Sequence, residues 1–411
     1  MIALLEPKNA WTLGVLLGFV SASSNASAAD FSLQLAGADR MMREGIFPAG
    51  LFGAVLDPTM EGAIKGQVAY SFSTIASYTS NASLAAGGDS DLILSFRPTA
   101  YYTTDPAGGA RYVINAYYAP SYQHYFEDSS RGGFNQSGGV SFSTSGARAS
   151  VGSFFNVAQS SGADRITGGF SDVTIISGGL SASYQVAPRT NVWSSLTAAH
   201  SDYSSGGADS DLYSAQLGAT WAATERLGIG PSLRYNRAES ESTGVRSAAG
   251  LLFNVSYEAT ERINLRASIG AELVDHSRLS GSSAPSLTGD FSLDYRINEL
   301  WSTSASIRYA NIPAPSDAGY VVNDLSLNAA VSRALLRGSL SAGAGYGNSR
   351  YERVDPAAAA RGGDETLSLF LGYSRPLPWE HVTFFSSVSR SHSFSRDWSQ
   401  WGASIGVSIS F

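Results

Sequence analysis

Charged side chains that could pair with one another, or attract charged solutes, recur along this chain. The strongest candidates for either role are arginines and carboxylates at the polar positions of stretches in which polar and apolar residues alternate. They are Arg97, Arg234, Arg266, Glu272, Asp290, Asp294, Arg308, Asp324 and Arg337. These residues line a polar interior and select solutes by charge, or they form ion pairs that stiffen a wall. Because arginines and carboxylates on adjacent strands partly neutralise each other, ion pairing is the favoured interpretation for most of them.

Tyrosine rings are the second set of candidates. Tyr101, Tyr117 and Tyr125 belong to a tyrosine-rich part of the sequence, and an aromatic face that points into a wet interior offers a stacking surface to a sugar ring. Aromatic residues also gather where membrane strands meet lipid headgroups. Packing or interfacial anchoring is therefore the favoured interpretation, and sugar stacking is the alternative.

Patterns for catalysis and metal binding are weak. The sequence has no cysteine, and its 5 histidines are scattered. His200-Ser201-Asp202 and Asp275-His276 hold suitable residue types, but neighbours on a strand point to opposite faces and make no triad by themselves. The motifs H-E-x-x-H and G-x-S-x-G and a phosphate loop are absent. The net charge is −7 without a basic run, which gives nucleic acid no electrostatic footprint. We expect no enzyme, no metal or cofactor, and no nucleic-acid partner.

The elements that position these residues are predicted to be antiparallel strands. Residues 401–411 place Trp401, Ala403, Ile405, Val407, Ile409 and Phe411 on one face and only glycine and serine on the other. Tight turns at 187–190, 223–226, 259–262 and 298–300 recur about every 36 residues, one hairpin per period. Longer polar segments alternate with them at 81–90, 127–133, 159–170, 204–210, 239–243, 276–284, 312–319 and 354–364. This pattern predicts an all-β fold, a transmembrane antiparallel up-and-down β-barrel of about 18 strands.

The chain divides into three predicted parts. Residues 1–28 have an apolar run and end in Ala26-Ser27-Ala28, which is the plan of a signal peptide cleaved after Ala28 or Ala29. Residues 29–64 lack strand alternation and are interpreted as a periplasmic leader or a segment inside the lumen, and residues 65–411 form the barrel. An exported chain without a helical anchor is periplasmic, secreted or a barrel. The strand pattern favours the barrel, which predicts the outer membrane of a Gram-negative bacterium with outer-membrane lipid around it.

The first strands carry a family resemblance. Tyr78-Thr79-Ser80-Asn81, Gly88-Asp89-Ser90-Asp91, Arg97-Pro98 and the stretch 112–125 resemble the opening of a family of outer-membrane β-barrel porins often encoded with exopolysaccharide secretion genes. Ser80 stands where that family commonly has an acidic residue, and the resemblance covers three or four strands. It implies a polysaccharide conduit that works with periplasmic polysaccharide-export proteins. The terminal Phe411 resembles the signal that the barrel assembly machinery recognises.

The expected function is therefore a porin-like outer-membrane channel, a passive conduit for polysaccharide export or small polar solutes. The alternative is a closed structural or adhesive barrel that acts through its extracellular loops.

Overall fold

The computed structural model describes residues 68–83, 87–104, 112–164, 169–204, 209–240, 244–276, 284–313, 320–353, 362–395 and 398–411. The predicted signal peptide at 1–28 and the predicted leader at 29–64 lie outside the described residues.

The strands follow one another along the whole described chain. They are β1 (Val68–Thr79), β2 (Asp91–Thr103), β3 (Tyr112–Tyr125), β4 (Gly133–Ser145), β5 (Ala149–Asp164), β6 (Gly169–Ala187), β7 (Thr190–Tyr203), β8 (Ser210–Ala222), β9 (Leu227–Ser240), β10 (Gly244–Thr260), β11 (Ile263–His276), β12 (Ala284–Arg296), β13 (Trp301–Pro313), β14 (Tyr320–Leu335), β15 (Gly338–Arg353), β16 (Asp364–Pro376), β17 (Val382–Ser393) and β18 (Trp398–Ser410). A short 3-10 turn, Ser129–Arg131, lies between β3 and β4.

The strands close into an 18-stranded antiparallel barrel in which each strand pairs with its neighbours in sequence. Closure comes from β1 and β18, which pair from Ser71 opposite Ser410 to Thr79 opposite Gly402. A closed sheet has no free edge, so the backbone groups of every strand find partners within the sheet. The predicted fold class is confirmed.

Alternation fixes which residues face outward. In β18, Trp401 and Ile405 are exposed on the outer surface, whereas Ser408 and Ser410 are buried on the inner phase. A rise of about 3.3 Å per residue and a tilt of about 40° place Trp401 and Phe411 roughly 25 Å apart along the axis, the height of the apolar band of a membrane barrel. In the described part of the chain no helix is long and apolar enough to cross a membrane.

The two ends of the barrel differ. One end, called the tight-turn end, holds the turns Pro188-Arg189, Glu261-Arg262 and Leu336-Arg337 together with Val68 and Phe411; the opposite end is called the loop end. The tight turns lie where the sequence predicted them. The predicted loop at 159–170 is wrong, because β5 and β6 stay paired as far as Asp164 opposite Gly169. The glutamine, serine and glycine residues at 159–162 therefore belong to a paired strand.

Aromatic rings on the inner wall lie over glycines of the adjacent strand. The pairs, each directly opposite in register, are Tyr117 on Gly139, Phe154 on Gly179, Trp193 on Gly218, Phe370 on Gly343 and Phe385 on Gly406. A side chain at any of these glycines would meet the ring. The glycines therefore let large rings lie flat along the wall rather than project across the lumen.

Candidate functional site

The candidate site is the inner face of the barrel. Registers place eight of the predicted charged residues on its inward phase: Arg97 on β2, Arg234 on β9, Arg266 and Glu272 on β11, Asp290 and Asp294 on β12, Arg308 on β13 and Asp324 on β14. Arg337 differs from the prediction. It lies exposed in the turn Leu336-Arg337, because Gly338 begins β15 with a φ of 134° and Leu335 already pairs with it.

A buried ion pair of the inner face joins strands that are not neighbours. Arg234 on β9 donates from Nε to Oε1 of Glu272 on β11 at 2.7 Å, and from Nη2 to Oγ1 of Thr288 on β12 at 2.9 Å. Their side chains are only 14% and 3% exposed. The strand between them, β10, presents Gly250 opposite both residues, and a Cβ there would lie 2.5 Å from Cγ of Glu272. The missing side chain is what lets the pair bridge two strand spacings.

Further charges extend this cluster. Asp290 and Arg308 are directly opposite each other on β12 and β13. The Asp324 carboxylate accepts a hydrogen bond from Ser349 Oγ at 2.7 Å. The favoured sequence interpretation, ion pairing between strands, agrees with the Arg234–Glu272 contact; a pore-lining role stays a prediction.

One inward arginine escaped the sequence reasoning. Arg246, near the start of β10, is 6% exposed and donates from Nε to Oδ1 of Asn311 at 3.2 Å and from Nη2 to the Asn311 carbonyl at 2.9 Å. Its even spacing from Gly250 and Leu252 gives it the inward phase. That spacing was readable in the sequence, but the segment before it was interpreted as a polar loop.

The predicted tyrosines also lie on the inward phase. Tyr101 on β2 stands opposite Tyr117 on β3, and its hydroxyl donates to Oδ1 of Asn115 at 2.9 Å. The Asn115 amide reaches Ser141 Oγ at 3.5 Å. Tyr117 remains 39% exposed, whereas Tyr125, at the loop end of β3, is buried. Of the three rings, Tyr117 offers the most surface to the lumen.

A second amide lies beside Tyr117, and a second inward ring lies on the next strand but one. On β4, a Cβ at Gly139 would lie 2.8 Å from Cε1 of Tyr117 and would also meet Oδ1 of Asn156. Phe154, two residues before Asn156 on β5, is opposite Ser141. Tyr117, Phe154, Asn115 and Asn156 all lie on the inward phase of β3 to β5, and we call these two rings and two amides the aromatic platform.

The inner face therefore has a charged part and an aromatic part, on different strands. Most of the inward charges lie on β9 to β14, and the aromatic platform lies on β3 to β5. Arg97 is the predicted charge that lies apart from the rest, on β2.

The histidine clusters do not form the triads considered in the sequence. His200 Nδ1 lies 2.9 Å from Oδ1 of Asp211 on β8, while Ser201 points to the opposite face. Within the described ranges, no group of three or more histidine, aspartate or glutamate side chains could hold a metal ion.

Comparison with known proteins finds fold-level likeness. No family model matches the chain, and no curated protein matches it. Solved structures that resemble it include OccK2 (OpdF) from Pseudomonas aeruginosa in complex with glucuronate, with 10% identity over 84% of this chain and 97% of that one and a TM-score of 0.46. OpdQ from the same organism has 7% identity over 84% and 99% and a TM-score of 0.46. The siderophore receptor PirA, also from Pseudomonas aeruginosa, has 8% identity over 84% and 80% and a TM-score of 0.42. Likeness at this level assigns neither a family nor a solute to this chain.

Proposed function

We propose that this protein is a water-filled channel in the outer membrane of a Gram-negative bacterium. The observation that carries the proposal is the opposite character of the two faces of one closed sheet. The outer face exposes large apolar side chains such as Leu251, Ile269 and Leu287, which only lipid would cover at low cost. The inner phase carries serine, asparagine and charges, which favour water. A barrel of 18 strands has the width of porins that hold an aqueous channel.

The solute that fits the inner wall best is a saccharide chain. Sugar rings have apolar C–H faces and hydroxyl edges, so they stack on aromatic rings and bond to amides. The aromatic platform offers both, since the ring of Tyr117 is exposed and Asn115 and Asn156 border it. The mechanism is passive diffusion or guided threading, with no bond made or broken. The physiological role we propose is polysaccharide export, together with periplasmic export proteins.

The charged wall gives the channel weak charge selectivity. Arg234 is neutralised by Glu272 at 2.7 Å, and Asp290 faces Arg308 in register. Paired charges leave little net field in the lumen, while their polar atoms still hydrate it. We therefore infer a preference for neutral or weakly charged chains.

Membrane insertion is proposed to use the end of β18. Phe411 closes the seam by hydrogen bonds to Tyr70, with its N–H donating to the Tyr70 carbonyl at 2.8 Å and its carbonyl accepting from the Tyr70 N–H at 3.2 Å. Its ring is 65% exposed. An exposed ring that continues the apolar face of β18 supports recognition by the barrel assembly machinery.

The test is block of ion current by neutral oligosaccharides in planar bilayers. Tyr117→Ala removes the exposed ring of the platform, and Tyr118→Ala is its matched control, because the neighbouring tyrosine points to the outer face. Loss of one stacked ring costs about 1 kcal/mol, so we expect block by a long oligosaccharide to weaken roughly fivefold in Tyr117→Ala and to change less than twofold in the control.

Each outcome of this experiment tests a different part of the proposed function. Current without sugar block in the wild-type protein contradicts the saccharide assignment and leaves a general channel for polar solutes. Equal weakening in both variants contradicts the role of the platform. The absence of any current contradicts the channel itself and supports a closed barrel that acts through its loops.

A further inference from the structure

The outer face carries an exposed arginine near the closing seam. Arg390 on β17 stands directly opposite Trp401 on β18, and its guanidinium carbon lies 4.9 Å from the centroid of the Trp401 ring. Both side chains are exposed. Tyr78 on β1 and Phe394 beyond β17 are further exposed rings at the same end of the seam. We call Arg390, Trp401, Tyr78 and Phe394 the seam patch.

The level of the seam patch follows from the apolar band. Trp401 is the first large apolar residue of the outward row that descends to Phe411, so it marks the loop-end border of the band. An outward arginine is strongly destabilising at the bilayer midplane but nearly neutral near the interface. Arg390 is therefore tolerated because its guanidinium reaches the headgroup layer, with Trp401 as the interfacial anchor.

None of the described outward neighbours of Arg390 carries a negative charge. Its outward neighbours are Leu369 across β16, Trp401 across β18, and Val388 and His392 on its own strand. Among the described residues its contact is the cation–π contact alone, whereas Arg237, on the outer face at the loop end of β9, is paired with Glu239. A guanidinium left without a carboxylate at a headgroup border is suited to bind a phosphate, with two parallel hydrogen bonds.

We propose that the seam patch binds the phosphorylated sugar headgroup of an outer-leaflet glycolipid. Arg390 binds the phosphate, and the rings of Trp401 and Tyr78 pack against the sugar and the first acyl carbons. The proposal rests on the outer-membrane location but not on the channel, so it survives if the barrel proves closed. A glycolipid bound to the seam patch would cover the place where the first and last strands, β1 and β18, pair and would stabilise that contact.

The opposite interface holds a built-in control. Arg333 on β14 lies over Trp301 on β13, with its guanidinium carbon 5.1 Å from the ring centroid. This pair is at the tight-turn end of the strands. Bacterial barrels have short periplasmic turns and longer extracellular loops, so the proposal places the tight-turn end in the inner leaflet, which contains phospholipid, and the loop end in the outer leaflet. The two pairs share chemistry and differ in the leaflet that they face.

The experiment is site-specific photo-crosslinking of the full chain in cells of a Gram-negative host. A photoreactive residue replaces Ser399, an outward neighbour of Trp401 opposite His392, and in a second strain it replaces Thr303, beside Trp301. Membrane fractionation and heat-modified gel migration first establish that each variant is folded in the outer membrane. Adducts are then probed for glycolipid and for phospholipid.

We expect glycolipid adducts from position 399 and phospholipid adducts from position 303. Arg390→Gln should lower the glycolipid yield at 399 at least threefold, Arg390→Lys less, and Arg333→Gln not at all. Phospholipid alone at 399, or a glycolipid yield that Arg390→Gln leaves unchanged, would overturn the proposal. Absence of the protein from the outer membrane would instead contradict the proposed location.

Discussion

Breaking the Arg234–Glu272 pair should destabilise the barrel far more than breaking a pair of the same types at the surface. In Glu272→Gln, Arg234 keeps its bond to Thr288 at 2.9 Å but loses the charged bond at 2.7 Å. Removing one partner of a buried pair costs about 3–5 kcal/mol because the other charge is left without compensation. Since Arg234 keeps one hydrogen bond, we expect about 3 kcal/mol. Arg234→Gln should cost a similar amount, and the double variant about 2 kcal/mol less than the sum of both.

The matched control is Arg237–Glu239, whose side chains are 46% and 37% exposed. Breaking an exposed pair costs about 0.2–1 kcal/mol. The free energy of unfolding is measured by urea titration of the folded barrel in lipid vesicles, followed by tryptophan fluorescence. If the two single variants are additive, or if Glu272→Gln costs no more than Glu239→Gln, the Arg234–Glu272 pair does not stabilise the barrel as a buried ion pair. Gly250→Ala should reproduce part of the loss, because its Cβ would lie 2.5 Å from Cγ of Glu272.

Three further changes have defined outcomes. Trp193→Ala empties the space over its glycine partner and should cost about 3–5 kcal/mol in the same titration, against a smaller loss for the outward Trp221→Ala. Asp91→Ala removes the side-chain acceptor of the Glu127 N–H at 3.1 Å and of the Asp128 N–H at 3.4 Å, whereas the Phe126 N–H keeps the Leu92 carbonyl at 3.1 Å. The Glu127 and Asp128 N–H groups should exchange hydrogen faster, and unchanged exchange would contradict the contact. The Ser130 hydroxyl bond holds the pKa of Asp128 below its ordinary value of 3.8, so this turn should keep its order at pH 4 and lose it as the pH falls through the lowered pKa, a transition that Asp128→Asn should abolish in NMR shifts.

The barrel was predictable from the sequence because each strand obeys a local rule. Period-two alternation in β18 and the tight turns at Pro188-Arg189 and Glu261-Arg262 repeat one hairpin plan, and strand number follows from counting hairpins. The boundary at 159–170 was wrong because a serine- and glycine-rich stretch has the composition of a loop. Its backbone is held in the ladder by the neighbouring strand, a tertiary effect that composition does not contain.

For the contacts inside the barrel, the sequence predicted only whether a side chain points inward or outward, not which residue it contacts. Alternation gave the inward direction of Arg234 and Glu272, but their pairing depends on the register of β9, β10 and β11 and on Gly250 between them. The aromatic platform has the same origin, since Gly139 makes room for Tyr117 only because the two residues are opposite. Register is set by the whole sheet. Arg337 shows the same limit. Alternation predicted an inward side chain, but β14 ends at Leu335, which pairs with Gly338, so Arg337 is an exposed turn residue.

Single-channel recording of the full mature protein, refolded and inserted in a planar bilayer, tests whether the barrel is an open, water-filled channel. We expect discrete, long-lived conductance steps of porin size in the absence of any solute other than salt, with little preference between cation and anion because the wall charges are paired. A properly folded barrel that inserts and carries no current would contradict it.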